Sequence, residues 1–158
     1  MEQNKKTELL DYIGSIYEEA KECKLSPEFF EKEEGKLSFL ASYFRCSNSQ
    51  AFFISIVFAM NYKGDTVDLR DLINYFDCNP MRILAFNDDI KHLHKTGIFK
   101  QINAKHRVNH ESTKVQYILN KAVSDAVLNN QEMPKTKAAE QEDIFSLLEH
   151  IYELGSKG

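Results

Sequence analysis

Hydrophobic and polar positions alternate with the period of a helix over much of the chain. In residues 7–23, apolar side chains recur every three or four positions, which places them on one face of an amphipathic helix. Residues 51–60 are apolar on nearly every face, so we predict a helix buried at the centre of the core. This stretch has about half the length of a membrane span, and we therefore predict no membrane anchor.

Capping residues mark where further helices begin. Ser26 and Pro27 predict the start of a short helix, because serine is a good N-cap and proline suits the first turn. Gly35 is predicted to interrupt that helix. A second short helix is predicted for residues 37–44.

Three further helices are predicted between residues 47 and 97. Ser47 stands where a capping box would open the central helix, and Asp68 is a suitable cap for the next one. Asn79, followed by proline, opens the third helix, which is predicted to continue without a break to Gly97. The buried stripe of this third helix is predicted to consist of Ile83, Phe86, Ile90 and Leu93.

Two strand-like runs follow the third helix. Residues 98–102 and 115–119 are rich in β-branched side chains, and the polar stretch between them, residues 103–114, has no periodicity. A short β-prone pair, residues 66–67, precedes the second of the three helices. The order helix, short strand, helix, turn, helix and hairpin is that of a winged helix-turn-helix, in which the hairpin loop is the wing.

The predicted fold is therefore mainly α (α+β). A winged helix-turn-helix domain is predicted for residues 47–130, and residues 1–46 are predicted to be an amino-terminal helical extension that packs on it. Residues 131–158 are predicted to be a linker and an amphipathic helix, residues 141–154, that leads to a domain beyond the end of the chain.

Residues 40–47 resemble residues 72–79. In both segments an aromatic pair closes a helix, a cysteine follows after one residue, and a capping residue opens the next helix. We interpret the two segments as the same local solution to a turn, in preference to a duplicated repeat.

Composition excludes several classes of protein. With 42% hydrophobic and 28% charged residues the chain has the profile of a folded globular protein. An odd number of cysteines without C-x-x-C spacing argues against disulfides and a zinc ribbon, so we predict a reducing, cytoplasmic location. The three cysteines are Cys23, Cys46 and Cys78.

The sequence predicts a protein that is not an enzyme. It contains no G-x-x-x-x-G-K-[ST] phosphate loop, and we predict no cofactor. Asp88 and Asp89 are adjacent helix positions, which point in different directions and do not converge on one reacting group. His92, His94, His106 and His110 do not have the spacing of a zinc site, so no metal site is predicted for them.

Charge and architecture point to nucleic acid as one class of partner. Residues 47–130 carry 10 lysines and arginines against 8 aspartates and glutamates, whereas each flanking arm has a net charge of −3. In a winged helix the third helix enters the major groove. Its outward face is predicted to present Arg82, Ala85, Asp88, Asp89, His92 and Lys95.

The two carboxylates on this predicted face would repel phosphates, which makes groove insertion less favourable. The wing carries six basic side chains, counting histidines, against the single acid Glu111, so it can hold phosphates without reading sequence. The alternative for the wing is a solvated loop with an ordinary share of lysines. The candidate nucleic-acid-binding residues are Arg82, Lys91, Lys95, Lys100, Lys105, Arg107 and Lys114, and the wing also contains His106 and His110.

A family resemblance is carried by Leu69-x-x-Leu72, by Asn79-Pro-Met-Arg-Ile83, by Ile90-x-x-Leu93-x-x-x-Gly97-Ile98 and by the helix predicted over residues 142–154. Together these segments, which span most of the chain, resemble the amino-terminal winged-helix region of certain bacterial AAA+ family ATPases. In that family the region precedes the ATPase module. The resemblance implies that ATP hydrolysis belongs to residues beyond Gly158 and transfers no catalytic residue to this chain.

The resemblance implies a non-catalytic binding module that recruits or positions a protein or nucleic-acid partner for an AAA+ ATPase. The alternative is a free-standing DNA-binding transcriptional regulator that dimerises through residues 141–154. A third interpretation is a winged helix used only for protein contact. Duplex DNA, a protein partner and the remainder of an ATPase are thus the partners considered, and the sequence does not specify an oligomeric state.

If the wing holds phosphates, reversing two of its charges in the Lys105→Glu/Arg107→Glu variant should weaken binding to duplex DNA of arbitrary sequence. The slope of log affinity against log salt should fall by about 2, because two phosphate contacts are lost. Fluorescence anisotropy over a salt series measures both quantities. Absence of binding by the unaltered chain even at low salt would contradict the phosphate role of the wing.

Overall fold

Eight helices and one hairpin make up the part of the protein that is described by a computed structural model, residues 2–104 and 114–136, with side chains described for residues 8–102 and 115–136. The elements in chain order are α1 (Glu2–Ala20), α2 (Pro27–Lys32), α3 (Glu34–Phe44), α4 (Asn48–Tyr62), α5 (Leu69–Phe76), α6 (Pro80–Leu84), α7 (Asn87–Lys95), β1 (Phe99–Ala104), β2 (Lys114–Leu119) and α8 (Lys121–Leu128). The fold is thus mainly helical with a small antiparallel sheet, as the sequence predicts at this level.

Four predicted capping residues open the helices at which they were placed, whereas α1 spans Glu2–Ala20 and so begins and ends earlier than the helix predicted for residues 7–23. In each case the side-chain oxygen accepts a hydrogen bond from a backbone N–H of the first turn, which otherwise has no intrahelical partner. At two of the helices, α4 and α5, the side chain three residues on returns a second bond and completes a capping box. The four confirmed capping residues are Ser26, Ser47, Asp68 and Asn79.

The third helix of the predicted winged domain is not continuous. It is divided into α6 and α7 at Ala85 and Phe86, and Phe86 leaves helical geometry with φ −103° and ψ 11°. The ring of Phe86 lies 5.5 Å from the ring of Phe30 and 5.5 Å from that of Phe53, centroid to centroid. We infer that this aromatic packing favours the break, which the apolar spacing of the sequence does not reveal.

A second boundary also differs from the prediction. The break between α2 and α3 lies at Glu33, and Gly35 belongs to the first turn of α3. Glu33 is buried, and its carboxylate accepts a hydrogen bond from Lys36 Nζ at 3.2 Å.

Helix α4 is the centre of the core. Helices α1, α3 and α7 and strand β2 pack around it, and Phe52, Phe53 and Ile54 are fully buried. The hydroxyl of Ser55, also buried, donates to the carbonyl of Ala51 at 2.8 Å, so this polar group has a partner. Apolar side chains of α1 and α3 belong to the same hydrophobic cluster as those of residues 51–133.

The hairpin is held to the rest of the fold through β2. Strands β1 and β2 pair antiparallel with Phe99 opposite Leu119. Val67 forms a single bridge with Tyr117 on the other side of β2, through backbone hydrogen bonds of 3.1 and 2.6 Å. The side chain of Asn61 in α4 accepts from the backbone N–H of Leu119 at 2.8 Å, which fixes the hairpin against the central helix.

The two similar segments of the sequence adopt the same local geometry. Arg45 ends α3 and Asp77 ends α5, both in the left-handed region with φ of 60° and 53°. In the first turn the backbone N–H groups of Arg45 and Cys46 both donate to the carbonyl of Ala41. In the second turn those of Asp77 and Cys78 both donate to the carbonyl of Ile73. The predicted common turn is therefore confirmed as a C-terminal cap of the left-handed type.

Removing the cap of the central helix should destabilise the protein. In the Ser47→Ala variant the N–H of Gln50 loses its acceptor, and the free energy of unfolding should fall by about 1 kcal/mol. Chemical denaturation followed by circular dichroism measures the change. Ser49→Ala, at the second position of the same helix, is the matched control, and an equal loss there would show that the cap is not the cause.

Candidate nucleic-acid interface

The solvent side of α7 is basic. Ile90 and Leu93 are buried against the core, and the exposed positions of the helix are Asp88, Lys91, His92 and Lys95. These four residues are called the α7 face below. Their spacings of three and four residues keep three cationic or titratable groups next to one carboxylate over two turns.

Asp89 does not belong to the α7 face, which corrects the predicted arrangement. Its side chain is half-buried and accepts a hydrogen bond from Gln50 Nε2 at 3.3 Å. Gln50 lies in the first turn of α4, where the helix dipole favours a nearby negative charge. Because successive residues of a helix point about 100° apart, Asp88 faces solvent while its neighbour faces α4.

Arg82 also departs from the predicted outward face. It is half-buried, and its Nε donates to the carbonyl oxygen of Leu25 at 3.0 Å. Leu25 lies in the connector between α1 and α2, residues 21–26. Two backbone N–H groups of this connector, those of Glu22 and Lys24, donate at 2.9 and 2.8 Å to the carbonyls that end α5. Arg82 therefore ties the connector to α6.

Lys100 extends the basic surface onto the hairpin. It is exposed on β1, opposite Ile118 of β2, and follows Lys95 after four intervening residues. Of the wing candidates, Lys105 and Arg107 lie outside the described residues, and Lys114 lies in β2 without a described side chain. The predicted role of the wing loop stays a prediction.

The lysines of this surface are available to anions. Among the described residues, the ion pairs involve other lysines, those of the connector, α2 and α3, and leave Lys91, Lys95 and Lys100 without a carboxylate partner there. An unpaired surface ammonium can exchange its bound water and counterions for a phosphate oxygen at little cost. The surface is therefore suited to a polyanion.

Two exposed apolar side chains were not found by sequence reasoning. Met81 and Leu84 on α6 are 65% and 50% exposed. Neither belongs to the buried apolar stripe that includes Ile83 and Ile90, so a helical projection of the sequence would have exposed both side chains to solvent. The sequence attracted attention to the charged positions of this stretch instead.

Metal chemistry receives no support from the described part of the chain. Within it, no three histidine, cysteine, aspartate or glutamate side chains are grouped so that they would hold a metal ion. Across the same residues, no helix combines the length and apolarity needed to cross a membrane. Comparisons with protein-family models, with curated proteins and with solved structures found no match to this chain.

The inward orientation of Asp89 should be detectable at Cys46. Burial, and secondarily the Asp89 carboxylate, raises the pKa of the Cys46 thiol to about 12, so little thiolate forms at mildly alkaline pH. In the Asp89→Asn variant the pKa of Cys46 should fall and its alkylation by iodoacetamide should become faster, as measured by mass spectrometry of the Cys46 peptide. Asp88→Asn is the control, and equal effects of the two variants would contradict the assigned orientations.

Proposed function

We propose that residues 47–130 form a winged helix-turn-helix unit that binds the phosphate backbone of duplex DNA. Two features support this proposal. The elements follow one another in the order of that unit, from α4 through the hairpin. An isolated β-bridge joins Val67, in the connection between α4 and α5, to Tyr117 of β2. In such a unit, α7 would be the helix that enters the major groove.

The observation that carries the proposal is the charge of the α7 face. Lys91 and Lys95 lie one turn apart, with His92 beside them and Asp88 as the single exposed carboxylate. The sequence had suggested two outward carboxylates at this position, and one of them, Asp89, is half-buried and turned toward Gln50. The balance of charge on the outward side of α7 therefore favours a polyanion.

The side chains of this face favour phosphates over bases. Arginine, asparagine and glutamine make the bidentate contacts that distinguish base pairs in the major groove. The α7 face contains none of these, and Arg82 is engaged by the carbonyl of Leu25. Lysine offers a flexible point charge that suits phosphate oxygens. Binding is thus proposed to depend weakly on sequence.

We propose as its biological context the recruiting role that the AAA+ resemblance implies, with the free-standing regulator as the alternative. Both use the same surface on α7 and the hairpin. They differ in the role of residues 141–154, which would lead to a further domain in the first case and pair two copies in the second.

Reversal of two charges on the α7 face should weaken DNA binding. In the Lys91→Glu/Lys95→Glu variant, affinity for duplex DNA at low salt should fall about tenfold or more. The slope of log affinity against log salt should decrease by about 2. Fluorescence anisotropy with two unrelated duplexes measures both, and the two duplexes should behave alike.

The matched control is Lys21→Glu/Lys32→Glu, which makes the same change in net charge on exposed positions of the connector and α2. The ion pair between Lys32 and Glu19 is exposed on both sides, so its loss should hardly change stability. Equal weakening in the control and the α7 variant would show that net charge, and not this surface, governs binding. Binding by neither the variants nor the unaltered chain would refute the proposal.

A further inference from the structure

An exposed apolar pair on α6 and the basic α7 face follow one another along the chain. Met81 and Leu84 are the exposed apolar side chains, and Leu84 lies only seven residues before Lys91 and eleven before Lys95. Residues 81–95 form what is called the α6–α7 surface below. Phosphate binding gives no role to its apolar part, because phosphates make no favourable contact with methionine or leucine side chains.

The chain contains a segment of complementary character, residues 141–154, which lies outside the described residues. Its apolar side chains recur at helical spacing and include Ile144, Leu147, Leu148 and Ile151. Its acids are Glu142, Asp143, Glu149 and Glu153, and it contains no lysine or arginine. The segment therefore combines an apolar stripe with a strongly negative polar side.

The structure holds the chain close to α7 shortly before this segment begins. The Tyr43 hydroxyl donates to the carbonyl of Gln131 at 2.7 Å, and Met133 is buried. The hydroxyl of Thr136 donates to the carbonyl of Thr96, directly after α7. Four residues separate Thr136 from the segment, and they can span about 14 Å at most.

We propose that residues 141–154 bind to the α6–α7 surface of their own chain, with the apolar stripe on Met81 and Leu84 and the acids beside Lys91 and Lys95. A helix of this length extends about 21 Å, and α7, with nine residues, about 14 Å. A segment that starts near the carboxyl end of α7 and runs back along it would therefore extend past its amino end toward α6.

The short connection favours the segment of the same chain over that of a second copy. A flexible link of a few residues gives an effective concentration in the millimolar range, far above the concentration of the free protein in a dilute experiment. A contact that would be too weak between molecules is therefore populated within one molecule. Only the consequence that the segment competes with DNA rests on the function proposed above.

Photo-cross-linking tests the contact without DNA. The probe is p-benzoyl-phenylalanine in place of Phe145 in the full chain, which exchanges one aromatic side chain for another. After irradiation and trypsin digestion, we expect cross-links to the peptides that contain residues 81–95, in material with the mass of the monomer. Cross-links at the mass of a dimer would instead assign the surface to a second copy, and cross-links elsewhere or none would overturn the proposal.

A pair of surface variants tests the apolar part of the contact. Met81→Asp/Leu84→Asp should reduce the yield of this cross-link severalfold, because two exposed apolar side chains lose their contact with the stripe. Tyr62→Asp, which changes a side chain that is 73% exposed at the end of α4, should leave the yield unchanged. Circular dichroism checks that all variants keep their helices, and an equal reduction in both would overturn the proposal.

If the segment competes with DNA, a variant with more negative charge should bind DNA more tightly. The Leu147→Asp/Ile151→Asp variant makes the segment more acidic and should, by charge alone, weaken DNA binding. Release of the α6–α7 surface should instead strengthen it severalfold, as measured by anisotropy. If this variant binds DNA more weakly or equally well while the cross-link forms in the unaltered chain, competition with DNA is refuted but the contact itself is still supported. Failure of all variants to bind DNA would refute the proposed function, while the cross-link still decides the contact.

Discussion

The burial of α4 on all sides is the constraint on which the rest of the structure depends. A helix that is apolar around its whole circumference cannot face solvent on any side, so other elements must cover it completely. Helices α1, α3 and α7 and strand β2 do so, and this explains why the amino-terminal helices share one core with the hairpin. The burial of a phenylalanine or isoleucine side chain contributes about 1.5–3 kcal/mol, which far exceeds what any surface ion pair supplies.

The same constraint sets the orientation of α7. Ile90 and Leu93 must point toward α4, and this leaves the opposite positions, Lys91 and Lys95 among them, to solvent. The rotation is refined by a polar contact, since the carboxylate of Asp89 meets Gln50 at the amino end of α4. The charge of the outward face is therefore a consequence of how the core packs, and it differs from the charge of the helix as a whole.

Local signals predicted most of the elements, because caps, glycines and apolar spacing act within a few residues. Ser47 and Asp68 marked their helices correctly, and the strands were placed to within one or two residues. The errors have a different origin. The break at Phe86 and the inward side chain of Asp89 depend on partners more than 30 residues away in sequence, Phe53 and Gln50. Spacing along one helix carries no information about such partners.

The candidate interface was predictable only in part for the same reason. Its lysines were identified from the sequence. The hydrogen bond of Arg82 to the connector between α1 and α2 was not, because that bond depends on how residues 21–26 fold. Core packing determines which side chains of such a site are exposed, so the site can be identified only once that packing is known.

The net charge of −4 does not oppose the binding of a polyanion at this surface. At physiological ionic strength, charges on the protein surface are screened beyond about 8 Å, so the acids of distant helices act weakly on α7. Near α7, Lys91 and Lys95 face solvent, whereas of the two carboxylates only Asp88 is exposed and Asp89 is half-buried beside Gln50. A segment with four acids placed against the same helix would reverse the local balance while leaving the net charge unchanged. If the proposed contact forms, occupation of the surface, and not composition, would decide which partner α7 can hold.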